Sequence, residues 1–117
     1  MTDLSNLSGS WQLDYVSGNP LTISNLFPNK QPTLNVDIAT NTVSGNTGCN
    51  NFSGKLNAIA NKISFRDPMA MTRMMCPGEG EGIFLAALQK VNSWSVSGGN
   101  VLNLISDDIA IMRFTKK

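Results

Sequence analysis

Residues 44–54 read SGNTGCNNFSG, and the reading of this stretch decides the fold. It holds Gly45, Gly48 and Gly54, Asn46, Asn50 and Asn51, and Cys49, one of only two cysteines. Glycine supplies tight turns and close backbone approach, and asparagine side chains bond nearby main chain. Apolar alternation runs up to the stretch and resumes beyond it, which makes it a turn between strands. It has no G-x-x-x-x-G-K-[ST] pattern, and no helical pattern follows, so phosphate cradling is a poor reading. Gly45, Gly48 and Gly54 are read instead as bulge, turn and close-packing positions, with Asn50 and Asn51 bonding their own backbone.

Upstream, residues 33–39 alternate, with Leu34, Val36 and Ile38 inward and Asn35 and Asp37 outward. Thr40-Asn41 predicts a hairpin turn into residues 42–45. Residues 9–15 alternate as well, with Trp11, Leu13 and Tyr15 on one face, until Ser17-Gly18-Asn19-Pro20 breaks the pattern. Pro20, Pro28 and Pro32 leave residues 21–32 as a loop with at most one short strand or helical turn.

Downstream, Phe52, Gly54, Leu56, Ala58 and Ala60 share one face of mostly small side chains, so something bulky or curved should pack there. Asn61-Lys62 turns the chain into residues 63–65, and Asp67-Pro68 ends that strand. Residues 70–76 predict a strand with Thr72, Met74 and Cys76 on one side and Met71, Arg73 and Met75 on the other, stopped by Pro77-Gly78. Residues 79–91 predict the one helix, with Ile83, Phe84, Ala87, Leu88 and Val91 as its apolar stripe. Glu79 and Glu81 suit its N-terminal end and Lys90 the other, while Gly80 and Gly82 weaken the first turn. Trp94 and Val96, then Leu102 and Leu104, then Ala110, Met112 and Phe114 follow as two hairpins, turning at Gly98-Gly99-Asn100 and Asp107-Asp108. About eight short strands and one late helix predict a sandwich or barrel.

Composition bounds the function. A chain of 117 residues is read as one domain, 1–117, able to bury roughly two-thirds of its unfolded surface. Charged residues are only 15% of it, and polarity comes from Asn, Ser and Thr. The net charge of +1 with scattered cations gives no footprint for nucleic acid or anionic lipid. No run is long enough for a membrane-spanning helix. The first residues have no signal-peptide pattern, so the chain is either cytosolic or a mature or trimmed form with Met1 added. With no histidine, Ser-His-Asp and Cys-His catalysis and histidine-based zinc sites fall away.

The two cysteine segments resemble a known family. Gly48-Cys49-Asn50, with Gly54 shortly after, resembles the first signature of the META domain, the HslJ-like family of bacterial envelope proteins. Thr72-x-Met74-x-Cys76 is similar to its second signature. Leu7-x-Gly9-x-Trp11, the helix with Glu81, Phe84 and Leu88, and Gly99-x-x-Leu102-x-Leu104 extend the likeness over nearly the whole chain. Asn51, Met75 and Pro77 depart from the pattern. The resemblance implies a mainly β protein with one helix, a small antiparallel β-barrel of lipocalin-like topology with the helix packed on it. It also implies an envelope or periplasmic setting, often as a lipoprotein, with a loose link to stress response. The expected chain is a monomer whose full-length precursor can carry a lipid anchor, and no enzymatic activity comes with the family.

Each candidate site has a plain structural reading. Cys49 and Cys76 are read as a disulfide or as paired thiols. A bridge would close a loop of about 27 residues and stabilise by roughly 3–4 kcal/mol. The redox alternative lacks the Cys-x-x-Cys spacing, although Cys76 does precede the helix. Met69, Met71, Met74 and Met75 beside Cys76 raise copper(I), but the alternation scatters them and core filling is the better reading. Trp11, Trp94 and Tyr15 are read as core, and no acidic pair is placed for catalysis. No catalytic, cofactor or metal site is expected. Three functions remain: an envelope module recognising a protein or peptide partner, a barrel holding a small apolar ligand, and a thiol-redox protein.

Overall fold

The computed structural model describes residues 4–17, 23–27, 30–67, 69–76 and 78–117. Pro20, Pro28, Pro68 and Pro77, which the sequence marks as breakers, lie outside these residues. A short 3-10 turn at Leu4–Leu7 leads into β1, Gly9–Val16. A single helical turn, α1, spans Ile23–Leu26 and fits the room the sequence left there. Then come β2 (Thr33–Asp37), β3 (Thr42–Asn46), β4 (Asn51–Lys55), β5 (Asn57–Ile59), β6 (Lys62–Ser64) and β7 (Ala70–Met71). Helix α2 covers Gly80–Lys90, and β8 (Ser93–Ser97), β9 (Val101–Ser106) and β10 (Ile109–Lys116) complete the chain.

The strands form one antiparallel sheet in the order β5-β6-β8-β9-β10-β1-β2-β3-β4-β7. Residues 51–59 supply β4 near one end of that order and β5 at the other, with Leu56 as the break between them. A near-continuous segment can serve both ends only if the sheet curls back on itself. The mainly β, antiparallel barrel-like fold with one helix packed on it is the one the sequence predicts; the sheet is a curled half-barrel with ten strands among the described residues, where the sequence predicts about eight.

Helix α2 fills the inside of the curl. The Phe84 ring lies 6.1 Å from Phe52 on β4 and 6.4 Å from Phe114 on β10, centroid to centroid. Three strands separate β4 from β10 in the sheet, so one side chain reaching both must cross the concave face. Phe84, Ala87, Leu88 and Val91 are buried there with Trp11, Leu13, Leu34, Leu102, Leu104, Met112 and Phe114. Ile83 is only half-buried. Both buried indoles keep a partner: Trp11 Nε1 donates to Leu7 O at 3.0 Å and Trp94 Nε1 to Ala60 O at 2.9 Å.

Two irregularities correct the alternation. The β1–β10 register shifts between Leu13 and Tyr15. Asp14 is the extra residue, so Tyr15 turns outward, 41% exposed, and Val16 takes the buried place. A second shift, between Ala110 and Met112, leaves Ala110 exposed while Met112 and Phe114 stay buried. The expected strand over 70–76 is also shorter. Only Ala70–Met71 pairs, with β4, and residues 72–76 run outside any ladder. Core filling holds at most for Met69 and Met71, which are half-buried; Met74 and Met75 are exposed.

Candidate functional site

The β3–β4 connection is held by side chains acting as main chain. Asn46 Oδ1 accepts from Gly48 N at 2.7 Å, and Thr47 Oγ1 accepts from Cys49 N at 3.3 Å and Asn50 N at 2.9 Å. Thr47 N donates to Asn50 O at 2.9 Å and closes the turn. Gly48 sits at φ 94°, and a Cβ there would lie 2.6 Å from the Phe27 ring, so both backbone and neighbour demand glycine. Gly45 is not a bulge. The β2–β3 register is unbroken, and a Cβ on Gly45 would meet Thr33 O at 2.1 Å, so the requirement is close approach. Gly54 is the close-packing position expected, with Met69 against it.

Asn50 departs from the local role read in the sequence. Its Oδ1 accepts from Met74 N at 2.6 Å and from Thr72 Oγ1 at 3.0 Å. Its Nδ2 donates to Met74 O at 3.2 Å and to Glu81 Oε2 at 2.7 Å. One side-chain amide therefore pairs with both backbone groups of Met74, as a neighbouring strand would. This replaces the ladder that stops after β7. Thr72 extends the same arrangement: its N donates to Asn51 O at 3.0 Å and its Oγ1 accepts from Asn51 N at 3.0 Å. Asn51 also bonds a side chain, accepting from Asn46 Nδ2 at 2.9 Å.

The disulfide completes the knot. Cys49 and Cys76 are bonded, with Cα atoms 6.0 Å apart. The spacing Thr72-x-Met74-x-Cys76 thus has a physical meaning. Alternate residues face the glycine loop and contribute a hydroxyl, a peptide unit and a sulfur in turn. Glu81, in the first turn of α2, accepts from Thr47 Oγ1 at 2.6 Å and from Asn50 Nδ2 at 2.7 Å, which ties the helix start to the same loop. Among the described residues no buried side-chain polar atom lacks a partner, and no group of three or more His, Cys, Asp or Glu gathers as a metal site would. The knot brings together Gly48, Cys49, Asn50, Thr72, Met74 and Cys76; Gly54 stands apart on β4. Its chemistry is that of a fastener, with its buried side-chain donors and acceptors engaged inside the chain.

A second feature escaped the sequence reading. Beside the β5–β6 hairpin lies an open cleft of about 480 Å³. Leu56, Ala58, Ile63 and Val91 give it an apolar floor, and Lys55, Lys62 and Arg66 also line it. Of the face read over Phe52, Gly54, Leu56, Ala58 and Ala60, only Leu56 and Ala58 line this cleft; Phe52 packs on Phe84 and Gly54 against Met69. The β5–β6 hairpin brings the cleft's cations together, and the return of the chain past α2 adds Val91 and Asn92. Arg66 Nε donates to Gln89 O at 3.0 Å and so satisfies a carbonyl at the end of the helix. No described helix is long and apolar enough to cross a membrane.

The profile described as META domain matches residues 3–117. Among solved structures, the chain is similar to a Burkholderia xenovorans protein determined by NMR, at 24% identity and a TM-score of 0.71, covering 97% of this chain and 86% of that one. A second NMR structure is 21% identical with a TM-score of 0.67, covering 99% and 95%. A crystal structure of a DUF4847 family protein from Bacteroides vulgatus ATCC 8482 is 14% identical with a TM-score of 0.62, covering 94% and 93%. These three likenesses show the fold. No curated protein matches the chain.

Proposed function

Since the chain belongs to the META domain family, we propose that it is a non-enzymatic module of the bacterial envelope that recognises a protein or peptide partner and is linked to stress tolerance. The observation that carries this reading is the Cys49–Cys76 bridge, which joins two sequence signatures into one fastened loop. Disulfides persist in oxidising compartments, and the family is consistent with an envelope setting. A knot whose buried side-chain polar groups are engaged leaves recognition to the surface. The same bridge speaks against a thiol-redox role by what it does in the fold: it holds the glycine loop to residues 72–76, and neither cysteine stands in a Cys-x-x-Cys pair. A small apolar ligand finds the inside of the curl filled by Trp11, Phe84 and Phe114, and would have to use an outer cleft.

The test uses the full disulfide-bonded chain as immobilised bait against envelope and cytosolic fractions of a bacterium. The expected result is one defined protein retained from the envelope fraction alone, which rebinds after purification with a micromolar or tighter Kd. Failure of any retained protein to rebind would remove the reading.

A further inference from the structure

We propose that the cleft beside the β5–β6 hairpin docks an extended peptide segment of a partner protein in which carboxylate side chains alternate with apolar ones. The inference rests on the recognition role above and gives that role a place and a chemistry. Three observations carry it. The first is charge: the whole chain has nine Lys and Arg against eight Asp and Glu. Three of those cations line this one cleft, and no carboxylate does. Two carboxylates stand just behind the lining: Asp67 accepts from Asn57 Nδ2 at 2.8 Å and Asp107 from Asn92 Nδ2 at 3.0 Å, so the cleft surface itself presents cations and amides. Lys55 and Lys62 form no ion pair among the described residues, so their charge is available to a partner.

The second observation is the floor. Leu56 and Ile63 are buried beneath the cleft and Ala58 is partly so, while Ile59 at its rim is 80% exposed. An apolar base under a rim of cations matches a segment with two kinds of side chain rather than a purely charged one. A volume of about 480 Å³ is within the usual range for a bound small molecule or a few peptide residues.

The third observation is the strand edge. β5 is the last strand of the sheet order and pairs with β6 alone among the described residues. Its other side is open to main-chain pairing, the mode by which extended peptides add to sheets. Lys55 lies two positions before β5, beside that edge, while Lys62 stands on β6 opposite Ile59, on the paired side of β5. Lysine at an edge repels a second copy of the same edge, yet attracts an acidic strand. Edge and charge together therefore select an acidic segment over self-association.

The probe is a phage-displayed random heptapeptide library panned on the full, disulfide-bonded chain. Enriched peptides are expected to carry at least two Asp or Glu interleaved with apolar residues. One enriched peptide, made synthetically, is expected to shift the backbone amide signals of residues 55–59 and 62–66. Its affinity should fall by about 30-fold in the K55E/K62E double variant. It should also weaken as salt rises. K55Q/K62Q gives an intermediate loss, and an unchanged Tm of both variants shows that they fold. Neutral or basic enriched peptides, shifts confined to other residues, or equal affinity for K55E/K62E overturn the inference while leaving the recognition role standing. An absence of any enriched peptide overturns it too, as does lysine-dependent binding to phosphatidylglycerol vesicles in place of peptide binding. If the fraction-binding test also yields nothing, the recognition role fails with it.

Discussion

At the scale of the residue, Asn50 carries more of the structure than any other polar side chain described. N50A leaves the N–H and C=O of Met74 and the Glu81 carboxylate without their amide partner. It is expected to cost about 3 kcal/mol in urea unfolding, far more than a surface change. N50D is the sharper test. It sets two carboxylates within hydrogen-bond distance of each other, so one must hold its proton in the folded state, and its folded pKa lies above its unfolded value. That stability is present below about pH 4 and is lost as the pH rises toward neutrality. The variant should therefore unfold more easily at pH 7 than at pH 4, relative to the wild-type chain. A flat difference across that range would show that Glu81 does not face the substituted side chain. Ala60 offers the opposite sign. It turns the β5–β6 hairpin at φ 52°, a left-handed conformation disfavoured for a residue with a Cβ. A60G should raise stability by about 0.5–1 kcal/mol, because Trp94 bonds only its carbonyl. A lower urea midpoint for A60G would contradict this. That Gly48, Cys49, Asn50, Thr72 and Cys76 matter together was legible in their motifs. What Asn50 does was not, because Thr72, Met74 and Glu81, the partners that give it its role, lie 22 to 31 positions away.

At the scale of the element, alternation identified β1, β2, β3 and the closing strands well, because one face of each must be buried. It misplaced side chains only beyond a bulge. Alternation places Tyr15 in the core because the pattern holds from Trp11 to Leu13 and nothing local marks Asp14 as an inserted residue. The reason is tertiary: the Asp14 carboxylate meets Arg113 Nε at 2.9 Å and Thr115 Oγ1 at 2.5 Å on β10. Residues 70–76 mislead in another way. Their apolar alternation matches a strand, but their backbone partners belong to a side-chain amide and a disulfide. The pairing of β2 with β3 gives a direct test of element packing. G45A adds a methyl where the Thr33 carbonyl already stands, and neither strand can move without opening the ladder on both sides. The expected loss is about 2–4 kcal/mol in thermal or urea unfolding. A loss below about 0.5 kcal/mol would show that the two strands can separate locally.

At the scale of the whole molecule, the knot and the curled sheet are separate supports, and removing the first should loosen the second without erasing it. C49S/C76S is expected to lose about 3–4 kcal/mol, with Tm lower by roughly 10–20 °C. Its hydrogen exchange should speed up first in residues 69–79 and last in β1, β9 and β10, which sit in the middle of the sheet. Uniform acceleration would mean that the bridge acts only on the unfolded chain. Reading Trp11 and Trp94 as core agrees with their burial, while the cleft beside β5 is not legible in sequence, because Asn41, Val91 and Asn92 join residues 55–66 only in the folded chain. The position of β1 has one more consequence. Trp11 lies opposite Leu34 on one flank and opposite Lys116 on the other. A nascent chain leaving the ribosome can form the first pairing early, yet it has nothing to cover the second flank until β10 is made. The protein should therefore remain protease-sensitive through nearly all of its synthesis, and so remain threadable through a secretion channel for that whole interval. Stalled chains that end before Ile109 should be digested, and chains extended well beyond Lys116 should resist.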